Sequence, residues 1–340
     1  MSMIYPRSME KRHALFAAIA AALSAACTAP WAPDAQAPTD EPWIFDADAP
    51  ALRAASCPEG ETYQRPEAFT VTETPLDLSA ISSDLSISGW ALSSDHADFG
   101  GLSGAAIMPS GNLLTVSDAG RFVWLTMESG APTGEAHVAY MLGADGEPLA
   151  GAGQRSRRAD AEGLALKDGL AIVSFEHDHR ILAFDLEGCG ASALGAKLAT
   201  VANRPAGMGR AMRDNGGLEG VSLLADGQLA AVIETRDPAI PYGRVRKGGG
   251  FAVDAQVRTF AAQSGTGVDV VGDRLYTVHR DFRPGDGNYI TVSVTALSDG
   301  VPSGPATPLL TLDPSGPVDN FEAIAVATDP ETGAPKRLYI

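Results

Sequence analysis

The amino-acid sequence predicts an all-β fold, a β-propeller of four-stranded antiparallel blades. Five similar segments recur at intervals of 50 to 59 residues, and each is followed by two short apolar runs separated by a tight turn. Glycine and proline are frequent, at 37 and 23 of 340 residues, as is typical of chains with many short strands. Intervals of this length suit one blade per repeat. We expect six blades, the sixth being assembled from residues 60–98 and from chain beyond residue 340.

Residues 1–26 are typical of a signal peptide. Basic residues precede the apolar run Ala14–Ala26, which is too short to hold a chain across a membrane. The run leads into a sequence similar to a bacterial lipoprotein cleavage site, which predicts a lipid on Cys27; ordinary cleavage after Ala37 is the alternative. We therefore expect an exported protein, in the periplasm or in the outer membrane of a bacterium as a lipoprotein, with Cys27 as its only membrane attachment.

Between the signal peptide and the repeats, the composition predicts a spacer. Residues 27–56 are rich in proline and alanine, a composition that favours an extended tether. The propeller domain is expected over residues 57–340. If Cys27 carries a lipid, Cys57 and Cys189 are an even pair in an oxidising compartment, so we predict a disulfide; two buried free thiols are the alternative.

The charge of the chain limits the partners it can have. There are 42 acidic against 25 basic residues, for a net charge of -17. Nucleic-acid binding needs clustered lysine and arginine, so we expect no nucleic-acid partner. An acidic chain of this kind is better suited to binding metal cations.

Each repeat begins with a similar short motif, which in the first three copies places a serine or glutamate next to glycine. The five copies are Gly101–Ala106, Asp160–Ala165, Gly217–Ser222, a degenerate Gly267–Val271 and Asn320–Ala325. In the fourth copy we place the acidic position at Asp269. The turns that follow include Asp168-Gly169 and Asp226-Gly227, a strong hairpin signal because the favoured turn needs positive φ at both central residues.

Hairpin geometry brings acidic residues together. The residue before the first strand and the residue after the second lie at the same end of a hairpin. This pairs Glu162 with Glu176 and Glu219 with Glu234, and the same argument places Asp118, after Ser103, and Glu322 at one mouth of the central channel. Clustered like charges need protons or a cation, and Ca²⁺ accepts many oxygen ligands. These six acids are the predicted calcium ligands; the alternative is that each glutamate accepts turn hydrogen bonds as a structural residue.

Basic residues follow the second strands of the predicted hairpins and suit a phosphate group. The predicted substrate-binding residues are Arg121, His177, His179, Arg236 and His279, and the predicted catalytic residues are Glu162, Glu219, Glu322 and Arg280. Two other interpretations stay open. Glu176-His-Asp-His179 is a possible transition-metal ligand set, and Ser103 could serve as an esterase nucleophile with His96 or His279 as its base.

An ordered series of motifs resembles those of the phytase-like propeller family, whose members are described as having esterase-like activity of the phytase type. The motifs are Gly100–Gly104, Ser117-Asp118, Asp160–Gly163 with Glu176, Asn215–Gly220 with Glu234, His279–Phe282 and Asp319–Glu322. The match covers about residues 80–340. It implies an extracytoplasmic propeller that depends on calcium and acts on phosphoric esters.

Two further features bear on this resemblance. Residues 46–51 (Asp-Ala-Asp-Ala-Pro-Ala) resemble a motif of the calcium phytases, but one acid is replaced, and we attribute the match to composition. Residues 337–340 lie where family members continue into a further segment, so we expect the last blade to be incomplete.

From these observations we expect a metal-assisted hydrolase of small anionic phosphoric esters, with calcium held by the carboxylates and charge on the phosphate stabilised by arginine and histidine. The alternatives are a non-catalytic binding propeller at a membrane surface and a carboxylic-ester or lactone hydrolase on the same scaffold.

Overall fold

A computed structural model shows the chain as a β-propeller. It describes residues 39–340 except 80, 82, 84, 215, 236–238, 259–262 and 317. The predicted signal peptide and Cys27 therefore lie outside the described residues. Within the described part of the chain, no helix is long and apolar enough to cross a membrane.

The segment before the propeller is folded rather than extended. It contains helix α1 (Phe45–Ser56), in which Phe45, Ala49 and Leu52 are buried. Their spacing of four and three residues places them on one face of the helix. Trp43, just before the helix, is also buried, and its backbone N–H donates to the carbonyl of Val245 at 3.1 Å. The predicted tether is thus wrong for residues 39–56, because this apolar stripe outweighs the proline- and alanine-rich composition.

The next strands lie at the outside of the first blade. Strand β1 (Glu67–Thr70) is its fifth and outermost strand, and β2 (Thr72–Pro75) pairs with β3 (Trp90–Ser93) in a separate two-stranded sheet. Residues 60–98 were expected to start a sixth blade. Instead, β1 extends the first blade, and β2 and β3 form their own sheet.

Four antiparallel blades follow, each with its strands in chain order. The first contains β4 (Leu102–Ile107), β5 (Leu113–Ser117), β6 (Arg121–Glu128) and β7 (Ala131–Tyr140). The second contains β8 (Ala161–Lys167), β9 (Leu170–Phe175), β10 (Arg180–Asp185) and β11 (Ala196–Thr200). The third contains β12 (Leu218–Leu223), β13 (Leu229–Ile233), β14 (Ala239–Arg246) and β15 (Gly250–Arg258). The fourth contains β16 (Ser264–Val271), β17 (Arg274–Arg283), β18 (Gly287–Ser298) and β19 (Val301–Leu312). A last sheet contains β20 (Ala325–Thr328) and β21 (Pro335–Tyr339).

The first strands of the sheets form a closed ring. Strands β4, β8, β12 and β16 contact one another in that order, and β20 contacts both β16 and β4. The prediction of an all-β propeller with four-stranded antiparallel blades is confirmed. The expected number of six blades is not confirmed: the described residues form four blades and the two-stranded β20–β21 sheet.

The inner strands approach one another so closely that glycine is required where they cross. A Cβ atom on Gly104 would lie 2.8 Å from the carbonyl oxygen of Glu162, and one on Gly220 would lie 2.7 Å from the backbone nitrogen of Val268. Such contacts do not fit a side chain. Gly163 and Gly267 are equally confined by neighbouring backbone, so the glycine of each of the first four motifs serves the packing of the ring.

The hairpins and the disulfide agree with the sequence predictions. In the β8–β9 turn, Asp168 and Gly169 both have positive φ, 49° and 70°, as the favoured two-residue turn requires. The predicted disulfide between Cys57 and Cys189 is confirmed, with Cα atoms 5.6 Å apart. It joins the end of α1 to the loop after β10.

Candidate metal and active site

Each of the first four inner strands begins with a β-bulge that fixes one side chain at the mouth of the ring. The register shifts between Leu102 and Gly104 in β4 and between Leu218 and Gly220 in β12, and similar shifts occur in β8 and β16. Bulges commonly redirect a side chain next to a functional site. The residues in these positions are Ser103, Glu162, Glu219 and Thr266.

The fourth motif is therefore centred on Thr266, and its assignment to Asp269 is corrected. Asp269 lies farther along β16, where its carboxylate accepts hydrogen bonds from the backbone N–H groups of Val270 and Val326, both at 2.8 Å, and from Ser222 Oγ at 3.1 Å. The degenerate sequence of this repeat concealed the bulge, because a threonine stands where other repeats carry an acid. Asp269 has a structural role between blades.

Where the ring has a hydroxyl instead of a carboxylate, that hydroxyl joins neighbouring strands. Ser103 donates to the carbonyl of Ala161, and Thr266 donates to the carbonyl of Phe321 at 3.2 Å. Ser103 is almost completely buried. His279 Nε2 lies 2.6 Å from Ser293 Oγ. The geometry thus gives no support to Ser103 as a nucleophile.

Carboxylates from different blades gather at the mouth. Oxygen atoms of Glu176, Glu219 and Glu234 all lie within 4.8 Å of one another. Glu162, Glu219 and Glu322 line the narrow central channel. Asp118 and Asp160 are close enough to this group to interact with it electrostatically. The hairpins bring these acids together because each returns the chain to the end where it started.

Burial and mutual repulsion raise the pKa values of these acids. The pKa of Glu219 lies well above its ordinary value, first because of burial and then because of Glu162 and its other acidic neighbours. Burial also raises the pKa of Asp118 to about 6 and that of Glu176 to about 7. The site therefore favours either bound protons or a bound cation.

Glu219 provides the strongest indication of a cation. Its residue exposure is 5%, and one of its carboxylate oxygens lies within 4.8 Å of oxygens of Glu176 and Glu234. Buried carboxylates are normally paired. One oxygen of Asp118 is buried without a hydrogen-bond partner among the described residues. A set of carboxylate oxygens with unmet bonding capacity fits a hard cation such as Ca²⁺.

Arginine side chains surround the acids. Arg280 bonds to Glu322 and Asn320, and its other guanidinium nitrogen lies 3.6 Å from Glu234. Arg213 pairs with Glu234 at 2.6 Å, and Arg155 pairs with Asp118 at 2.7 Å. Arg155 and Arg213 are exposed, with 73% and 50% of the side chain accessible. They can reach an incoming anion.

Arg155, Arg213 and Asp160 were not predicted from the sequence as site residues. A signal was present: basic residues at 155, 157 and 158 stand just before Asp160, and Arg213 stands six residues before Glu219. The predicted basic residues were only those that follow the second strand of a hairpin. The loops before the first strand reach the same mouth.

Two of the predicted substrate-binding residues are corrected by their burial. Arg121 is fully buried: it pairs with Asp98 at 2.8 Å and lies over the ring of Tyr140. His279 is also fully buried, on β17. A position just after a predicted strand indicates at which end of the propeller a residue lies, but it does not indicate whether the side chain is exposed to solvent.

The other predicted substrate-binding residues differ in their positions. His177 lies in the cluster, with Nε2 3.1 Å from Asp160. His179 is half-buried beside Gly217, and its pKa is lowered by burial and then by His177. Arg236 lies outside the described residues.

The Asp-Ala-Asp-Ala-Pro-Ala segment lies away from the cluster. It belongs to α1, where the N–H of Phe45 donates to the carbonyl of Gly227, in the turn of the β12–β13 hairpin. Glu219 and Glu234 occupy the opposite end of that hairpin. This segment therefore contributes no ligand to the acidic mouth.

Comparison with known proteins identifies the family. No curated protein matches the chain. Structural similarity extends to a PQQ-bound aldose sugar dehydrogenase from Streptomyces coelicolor (14% identity, 76% of this chain and 90% of that one, TM-score 0.39) and to the Cps50 (Swd1) β-propeller domain of Myceliophteria thermophila (10% identity, 68% and 81%, TM-score 0.33). The model of the phytase-like family, described as esterase-like activity of phytase, matches residues 97–340. That range contains the four blades and every acid of the cluster, and the chain therefore belongs to the phytase-like family.

Proposed function

We propose that the protein is a metal-assisted phosphoric ester hydrolase whose site is the acidic mouth of the propeller. The observation that carries this proposal is the set of carboxylates of Glu176, Glu219 and Glu234, whose oxygens lie within 4.8 Å of one another, with Glu176 and Glu219 buried. Such a set is poorly stable without a cation. Family membership favours ester hydrolysis on this scaffold.

Glu176, Glu219 and Glu234 would hold calcium, and Asp118, Glu162 and Glu322 would add negative charge around it. Bound calcium would neutralise the cluster and act as a Lewis acid toward a phosphoric ester. The fit rests on the donor set, which consists of carboxylate oxygens.

The arginines would bind the phosphoryl group. Arg280 is held in place by Glu322, Asn320 and Glu234, so little side-chain freedom is lost when it binds an anion. Arg155 and Arg213 extend from loops into solvent and would attract an anionic ester to an otherwise acidic protein. The substrate is thus expected to be a small phosphoric ester.

Glu162 is suited to hold a transferable proton. Its pKa is raised well above the ordinary value by burial and by repulsion from Glu322, and Asp160 can accept a hydrogen bond from its protonated carboxyl group. A protonated carboxyl group in this position could protonate a leaving alkoxide.

We also propose that the protein acts outside the cytoplasm, because the Cys57–Cys189 disulfide suits an oxidising compartment.

An assay on phosphoric and carboxylic esters tests this proposal. The purified chain is expected to release phosphate with calcium, to lose that activity with excess chelator and to regain it when calcium is restored. Glu219→Gln should abolish it, whereas Glu128→Gln, at the exposed end of β6, should not. Carboxyl-ester turnover that is unaffected by chelator would favour the alternative hydrolase. Absence of turnover on both substrates, with a melting temperature that calcium does not change, would favour a binding propeller.

A further inference from the structure

We propose a second metal site at the same mouth, formed by Asp160, Glu176 and His177 and suited to a first-row transition ion. Ligand atoms of these three residues lie within 4.8 Å of one another. His177 Nε2 is 3.1 Å from Asp160 Oδ2 and 3.7 Å from Glu176 Oε2. The site shares Glu176 with the proposed calcium set, but it does not depend on ester hydrolysis.

The donor atoms distinguish this site from its neighbour. Glu176, Glu219 and Glu234 offer only carboxylate oxygens, the ligands of calcium. The second set replaces one oxygen with an imidazole nitrogen, and imidazole with carboxylates is typical of zinc, manganese and iron sites. Two adjacent sites of different selectivity thus arise from one cluster.

The backbone holds the three ligands in a fixed relation. Asp160 precedes β8 and Glu176 follows β9, and the N–H of Glu176 donates to the carbonyl of Asp160 at 2.9 Å. Glu176 Oε1 accepts from the N–H of Gly217 at 3.3 Å, which leaves Oε2 on the side of His177. The ligands therefore come from one hairpin that the ring keeps rigid.

The far side of the imidazole has the environment expected of a metal ligand. His177 Nδ1 is buried and has no hydrogen-bond partner among the described residues, and Asp214 Oδ1 lies 3.9 Å from it. Metal-binding histidines usually direct their second nitrogen toward a carboxylate, which fixes the ring. Arg157 holds Asp214 at 2.6 Å. A small movement would complete the same arrangement here.

The competing explanation is a protonated His177 that pairs with Asp160 without any metal. The two explanations differ in the number of cations bound and in whether a nitrogen atom coordinates one of them. Cobalt(II) is a suitable probe, because its visible absorption reports on its ligands. His179 provides a matched control, since it is the neighbouring imidazole and lies outside the ligand set.

The experiment titrates metal-free protein with cobalt(II) in the presence of saturating calcium. The wild-type chain is expected to bind one cobalt ion, and His177→Gln should weaken that binding at least tenfold and change its spectrum. His179→Gln should bind as the wild type does, and Asp214→Asn should weaken binding about tenfold as a positioning residue. Circular dichroism and calcium binding of each variant show that it is folded.

Equal cobalt binding by His177→Gln and the wild type would overturn the proposal, as would a wild-type chain that binds no cobalt beside calcium. The result is separate from that of the ester assay. A chain that binds cobalt through His177 and hydrolyses no phosphoric ester keeps this site and refutes the proposed function. A chain that hydrolyses with calcium alone and binds no cobalt does the reverse.

Discussion

Ser103 donates a hydrogen bond to the backbone carbonyl of Ala161, on the next inner strand of the ring. Thr266, on β16, likewise donates a hydrogen bond to the backbone carbonyl of Phe321, which lies just before β20. The equivalent position of the motif is thus a glutamate in three repeats, at residues 162, 219 and 322. In the other two it is Ser103 or Thr266, whose hydroxyl has a structural role. Only some repeats therefore contribute an acid from this position to the mouth. The hydroxyl groups of the others link neighbouring repeats through backbone carbonyls.

Replacement of Ser103 by alanine is expected to lower stability and leave ester hydrolysis largely intact. The buried carbonyl of Ala161 would lose its donor, which costs about 1 to 3 kcal/mol of unfolding free energy. Urea unfolding measures the first effect, and the phosphate-release assay measures the second. Loss of all activity in a folded variant would revive Ser103 as the nucleophile.

Gly220→Ala is expected to destabilise the propeller by about 1 to 3 kcal/mol, because its Cβ would lie 2.7 Å from the backbone nitrogen of Val268. Gly316→Ala is the control: a Cβ there would meet its nearest neighbour at 3.7 Å, an ordinary contact. Thermal unfolding of both variants compares them. Equal melting temperatures would show that the inner strands are not as closely packed as described.

These relationships separate what the sequence could predict from what it could not. The pairs Glu162 with Glu176 and Glu219 with Glu234 followed from hairpin geometry, because a hairpin of known turn brings its ends together whatever surrounds it. The disulfide followed from counting cysteines. Both inferences are local or combinatorial, and neither needs the packing between blades.

The incorrect predictions concerned features that depend on contacts between separate strands and loops. Burial of Arg121 depends on Asp98 and Tyr140, which are 23 and 19 positions away in sequence and meet it only in the folded blade. The fourth motif was assigned to Asp269 instead of Thr266 because a single sequence does not reveal the position of a β-bulge. The number of blades depends on β20 contacting β4, a contact between distant parts of the chain.

Asp269 is expected to make stability depend on pH. Burial raises its pKa to about 6, above the value of about 3.9 in an unfolded chain, so the folded protein holds this proton more tightly. Its favourable contribution is therefore complete below about pH 4 and is lost as the pH rises to about 6. The full change is on the order of 3 kcal/mol.

The corresponding measurement compares melting temperatures between pH 4 and 7. Asp269→Asn should lose less stability than the wild type as the pH rises through this range, because its amide does not ionise. Asp273→Asn, at an exposed position of the next turn, should follow the wild type. Parallel curves for Asp269→Asn and the wild type would contradict the proposed protonation.

Removal of the disulfide is expected to weaken the whole domain. Cys57 and Cys189 are separated by 132 residues, and closing a loop of that length restricts the unfolded chain considerably. The double variant with serine at both positions should lose about 2 to 5 kcal/mol. The tryptophan fluorescence, to which buried Trp43 contributes, should nevertheless keep its maximum in the folded variant. A red-shifted maximum would mean that the disulfide, rather than apolar packing, holds the N-terminal segment.

Glu219→Gln is expected to have opposite effects with and without calcium. In calcium-free protein it removes a buried carboxylate that repels Glu162, Glu234 and Glu176, so the variant should melt at a higher temperature than the wild type. With calcium the wild type should gain stability by mass action, whereas the variant lacks a charged ligand and should gain little. Differential scanning fluorimetry over a calcium titration records both effects, with Glu128→Gln as the exposed control. If calcium raised the melting temperature of Glu219→Gln and the wild type equally, Glu219 would not be a ligand, and the buried carboxylate would need another partner.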